Sequence, residues 1–94
     1  MASSKEYLDY VLDLLSDIQG ITHRKMMGEY LLYLNGTLFG GIYDDRFLIK
    51  KTPSLDEFGL AEEIPYSGAK PMYLVESEDK VTLLELILRA ARQK

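Results

Sequence analysis

Asn35-Gly36 sits between two apolar runs, and that dipeptide constrains the fold of this chain more than any other feature. A two-residue type I′ turn needs φ > 0 at both central positions, which asparagine and glycine tolerate. The surrounding stretch, EYLLYLNGTLFGGIYDDRFLIKK from Glu29 to Lys51, therefore reads as a β-meander with Asp44-Asp45 as a second two-residue turn. Those turns set the register. On one face Leu34 lies opposite Thr37, Leu32 opposite Phe39 and Tyr30 opposite Gly41. On the other, Tyr33 meets Leu38, Leu31 meets Gly40 and Ile42 meets Phe47. A meander with one wet side alternates apolar and polar residues; this one is apolar on both. Three strands of this length present a face of roughly 250 Å², whose burial contributes about 6 kcal/mol gross. One face takes the flanking helices. The other needs a second cover, either the loop over residues 60–71 with Ile64, Pro65 and Tyr66, or another molecule. The candidate interaction surface is Tyr30, Leu32, Leu34, Phe39, Tyr43 and Leu48.

Around the meander the spacing predicts helices. Ser3-x-x-Glu6 reads as a capping box, followed by Tyr7, Val11, Leu14 and Ile18 at helical spacing. Asp9, Asp13 and Asp17 lie on the far side, and Gly20-Ile21 forms the stop. Thr22 to Met27 makes a first strand ending at Gly28. Meander strands at 29–34, 37–43 and 46–51 follow. Pro53 ends them, and Ser54-x-x-Glu57 caps a short helix that stops at Gly59. Residues 60–71 read as a loop and Met72 to Glu76 as a last strand. Ser77, Glu78 and Asp79 open a final helix, with Arg89, Arg92 and Lys94 at its end. Its buried stripe is Val81, Leu84, Ile87, Leu88 and Ala91, with a Glu85–Arg89 pair on the wet side. The expected architecture is α+β, with order α-β-β-β-β-α-β-α. An antiparallel sheet of four to five strands carries the N- and C-terminal helices on one face. The 94 residues form one domain, 1–94.

Composition removes several kinds of chemistry. There are no cysteines, so disulfides, thiol nucleophiles and thiolate metal sites are excluded, which fits a cytoplasmic location. The N-terminus has no uninterrupted apolar core of the signal-peptide kind, and no run reaches membrane-spanning length. His23 is the single histidine, too few ligands for a zinc or iron site. Asp44-Asp45 falls short of a calcium cage, and Ser67 to Pro71 is no phosphate loop. No cofactor is expected. An enzyme would rest on His23 near Glu29 and Lys25 alone. Gly40-Gly41 inside a strand marks a bulge or a close approach, for which a packed helix is the expected cause. A net charge of −4 disfavours free-standing duplex binding. A basic patch remains as the nucleic-acid alternative: Arg24, Lys25, Lys50 and Lys51, at the ends of strands expected side by side.

Met26-Met27-Gly28, Tyr30, Leu32 to Gly36, Phe39, Asp44-Asp45 and Lys50, then Phe58-Gly59, Gly68, Met72-Tyr73 and the closing amphipathic helix, occur in an order that resembles the N-terminal domain of the TfoX/Sxy family. Met27 stands where phenylalanine is usual, Glu29 and Leu31 where glycines are common, and the last helix has no tryptophan. The resemblance implies a non-enzymatic regulatory or protein-interaction domain. In full-length competence regulators it is joined to a C-terminal helical domain and acts at promoters with another regulator. This chain, ending at Lys94, is expected to lack that second domain. The fold also resembles the secretion-chaperone class, whose dimers hold client peptides. Expected partners are a second copy or another protein, with promoter DNA reached only indirectly.

Overall fold

Three two-residue turns join the first four strands into one antiparallel ribbon in the computed structural model, which describes residues 4–92 (Arg92 by its backbone). β1 (Ile21–Met26), β2 (Glu29–Leu34), β3 (Thr37–Ile42) and β4 (Phe47–Ile49) follow one another. Met27-Gly28, Asn35-Gly36 and Asp44-Asp45 connect them, and all six of those residues have positive φ. Two of the three turns are the expected ones. The third places a methionine at φ 52°, a conformation that side chains with a Cβ adopt at a cost. β5 (Glu62–Glu63) and β6 (Met72–Leu74) complete a six-stranded sheet in the order β1-β2-β3-β4-β6-β5. Every pairing is antiparallel. The sheet thus has one strand more than the upper expectation, because two residues of the 60–71 loop pair with β6.

Register departs from expectation inside β3. Leu34 faces Thr37 and Tyr33 faces Leu38, but then Leu32 faces Gly40, Leu31 faces Gly41 and Tyr30 faces Ile42. Phe39 is the additional residue of a β-bulge. In a regular strand Phe39 and Ile42 would point to opposite faces. The bulge turns both toward the helices, where each is fully buried. Ile42 still pairs with Phe47, and that pair belongs to the helix side. Gly40 and Gly41 sit directly after the bulge, and β4, not a helix, requires Gly40. A Cβ on Gly40 would lie 2.3 Å from the Leu48 carbonyl oxygen. One on Gly41 would lie 2.6 Å from the Tyr30 carbonyl oxygen and 2.9 Å from the Tyr43 ring.

Helices α1 (Lys5–Leu14) and α2 (Lys80–Arg92) both pack on that face. Ser4 is the N-cap of α1, its hydroxyl accepting from the Tyr7 backbone N–H at 3.1 Å; Ser3, the expected cap, lies outside the described residues. α1 ends at Leu14, well before Gly20. Gly20 instead makes room for the β2–β3 turn, its carbonyl accepting from the Asn35 N–H at 2.8 Å. The short helix at Pro53–Phe58 is a 3₁₀ turn with Thr52, not Ser54, at its N-cap and Gly59 in the left-handed conformation after it. Asp79 caps α2 by accepting from the Thr82 backbone N–H (2.9 Å) and hydroxyl (2.7 Å).

Leu8, Val11 and Leu15 from the α1 end meet Tyr30, Leu32, Leu34, Phe39, Ile42, Phe47, Ile49 and Tyr73 from the sheet. Leu83, Leu86, Ile87 and Ala90 come from α2. The phase of α2 therefore differs from expectation. Ile87 is buried, but Val81, Leu84 and Leu88 face outward and Ala91 is half-buried. The segment VTLLELILRAA is apolar around most of its circumference, so the helical period alone could not choose which stripe meets the sheet.

Candidate functional site

The expected interaction surface lies inside the molecule. Tyr30, Leu32, Leu34 and Phe39 belong to the helix-side core, and Tyr43 and Leu48 are buried on the other face. None of the six is more than 8% exposed. What covers the outer face is the loop. Arg46 donates to the Glu63 carboxylate at 2.7 Å and to the carbonyls of Ile64 (3.3 Å) and Pro65 (3.2 Å). Its Nε also donates to the Tyr43 carbonyl at 3.1 Å. These bonds hold residues 63–65 against the β3–β4 turn. Pro65 is buried beneath, and the Tyr66 ring lies 6.2 Å from that of Tyr43. Burial is the first cause that raises the Tyr43 hydroxyl pKa above its ordinary value, followed by Tyr66 and Glu29. Leu31, Tyr33 and Leu38, on the same face, are half-buried.

The four basic residues do not form one patch. β2 and β3 separate β1 from β4, so Arg24 and Lys50 are at least about 14 Å apart across the sheet. Lys25 follows Arg24 and takes the opposite face. Lys51 is engaged, 3.0 Å from Glu62 and over the Tyr73 ring at 5.8 Å. The enzyme-like trio is dispersed too. His23 and Lys25 pair with Leu32 and Tyr30 on the helix side, whereas Glu29 pairs with Met26 on the other face. Glu29 accepts from the Asp44 N–H at 3.2 Å, and the His23 ring meets Tyr30 edge-on. Among the described residues no cluster of three or more histidine or acidic side chains could hold a metal. No described helix is long and apolar enough to cross a membrane.

Two surfaces that the sequence did not single out remain open. One is the outward stripe of α2, where Val81 is 76%, Leu84 40% and Leu88 44% exposed. Arg89 borders it, bonded to Glu85 (2.7 Å), Glu57 (2.7 Å) and the Ser54 carbonyl (2.7 Å), with its guanidinium 4.9 Å from the Phe58 ring centre. That network fixes α2 to the 3₁₀ turn and holds the stripe in place. The second is a groove of about 600 Å³ between the 65–72 segment and the ends of β3 and β4. On the helix side of the sheet, the Tyr73 hydroxyl donates to Asp56, the main reason its pKa is pushed up to about 12. The signal for the first surface was an excess of apolar positions on α2. For the second it was Lys50, Lys51, Tyr43 and Tyr66, each named for another reason, with Lys70 in a loop whose path the sequence does not give.

Comparison with known proteins places the chain. It is 33% identical over 78 residues to an uncharacterized 12.7 kDa protein in the trpE 5′ region of Spirochaeta aurantia, covering 81% of this chain and 68% of that one. Residues 13–93 match the TfoX N-terminal domain, a span that takes in the whole sheet and α2. With most of its length accounted for in this way, the chain belongs to the TfoX N-terminal domain family.

Proposed function

We propose that this chain is a non-enzymatic regulatory module that works by protein contact, docking through the outward stripe of α2 onto a second copy of itself. The observation that carries this reading is the exposure of Val81, Leu84 and Leu88 on one helix face. Their spacing of three and four residues, continued by Ala91, is that of a seam into which another helix inserts its side chains. An identical helix offers the same knobs and holes, so a two-fold pairing is self-complementary. Sheet edges and faces are weaker candidates: both faces are covered, and β1 carries Arg24 and Lys25, which oppose edge pairing. Family membership supports a role of the competence-regulator kind, in the cytoplasm, with promoter DNA reached through another regulator.

Light scattering across a concentration series tests the reading. The wild-type chain is expected to double in mass as concentration rises. Leu84→Glu with Leu88→Glu should remain monomeric with an unchanged thermal melt, since outward substitutions alter stability by only about 0.5 kcal/mol each. A wild-type chain that stays monomeric into the millimolar range contradicts the reading.

A further inference from the structure

The groove on the outer sheet face combines features that a plain loop contact does not need. Leu38 and Met72 form its floor, Tyr43 and Tyr66 a wall, and Lys50, Lys51 and Lys70 its charged rim. No aspartate or glutamate lines it, in a chain with fifteen acidic side chains. Lys51 is held by Glu62, whereas Lys50 and Lys70 make no ion pair among the described residues. Both ammonium groups are therefore available to a ligand.

From this arrangement we infer that the groove binds a small amphipathic anion: a carboxylate, phosphate or sulfonate head between Lys50 and Lys70, on a flat apolar body that lies against Tyr66, Leu38 and Met72. The volume of about 600 Å³ falls within the range of small-molecule sites, which pair an apolar lining with a few polar groups. Charge complementarity sets the sign of the ligand. An extended peptide fits less well, because β4 is hydrogen-bonded to β3 on one side and β6 on the other. Its backbone would find no free edge on β4 to pair with. The site is separate from the α2 seam, so either proposal can fail without the other.

Anilinonaphthalene sulfonate, titrated into the full chain and followed by amide chemical shifts, is the direct probe. Saturable shifts at residues 38, 43, 50 and 66–72 are expected. Phenylnaphthylamine, the same body without the sulfonate, should bind about tenfold more weakly, as should the anionic dye to a Lys50→Gln, Lys70→Gln variant. Both lysines are outside the core, and an unchanged melt of that variant shows that the fold is retained. Shifts mapping elsewhere, no saturation, equal affinity for the neutral dye, or an undiminished double variant would each overturn the inference. So would an acidic peptide of glutamate and phenylalanine that bound the groove more tightly than the dye, or a second copy filling it as concentration rises.

Discussion

The two faces of the sheet are both apolar, yet they are sealed by different means. The helix side is closed by α1 and α2 over residues contributed from nearly every element. The outer side is closed over Tyr43 and Leu48 by a loop that three Arg46 hydrogen bonds hold down, and it thins to half-buried Leu31, Tyr33 and Leu38. An apolar face therefore need not be an interface, because a dozen residues of loop can hide it. A contiguous exposed apolar stripe lies instead on α2, at Val81, Leu84 and Leu88.

Neighbouring residues on β3 give the largest contrast between the faces. Phe39→Ala is expected to cost about 3–5 kcal/mol, the usual range for a fully buried aromatic. Leu38→Ala, one position away but on the outer face, should cost about 1 kcal/mol; chemical denaturation measures both. Equal costs would mean that the bulge does not sort these side chains as described. Arg46→Ala should follow at about 1.5–3 kcal/mol, the range for hydrogen bonds to a charged group. Amide exchange in that variant should quicken over residues 63–72 while β2 stays protected, separating the loop cover from the helix cover. Met27→Asn should raise stability by about 0.5 kcal/mol, because asparagine accepts the left-handed conformation more readily. Met27 is 96% exposed, so little packing is lost.

The smallest expected effect concerns pH. Hydrogen bonds from the Thr82 side chain and then its backbone hold the Asp79 carboxyl below its ordinary 3.8. A carboxylate lowered in the folded state contributes stability that is present above its unfolded pKa and lost as pH falls through the folded one. Asp79→Asn should therefore flatten the acid limb of the melting-temperature profile below that value, whereas near neutrality its loss of stability should not vary with pH.

What the sequence made legible was local stereochemistry. Asn35-Gly36 and Asp44-Asp45 declared their turns because positive φ restricts residue choice, and the capping region of α2 showed in Ser77 to Asp79. The bulge at Phe39 left only an indirect trace in Gly40-Gly41. What Gly40 answers to is the approach of the β4 backbone, which arises once the sheet has assembled. Nor could the phase of α2 be read, since Leu83, Leu84, Leu86, Ile87 and Leu88 allow more than one apolar stripe and tertiary packing selects among them. The groove depends on where Arg46 anchors a loop, a long-range ion pair with no local signature.

Amide shifts recorded over a concentration series test most directly the claim that α2, and not the sheet, is the face through which this chain makes contact. Concentration-dependent shifts confined to Val81, Leu84, Glu85, Leu88 and Ala91 are expected, with the strand resonances unmoved. Shifts gathered on β1 or on Leu31, Tyr33 and Leu38 would contradict it, as would spectra that do not change with concentration.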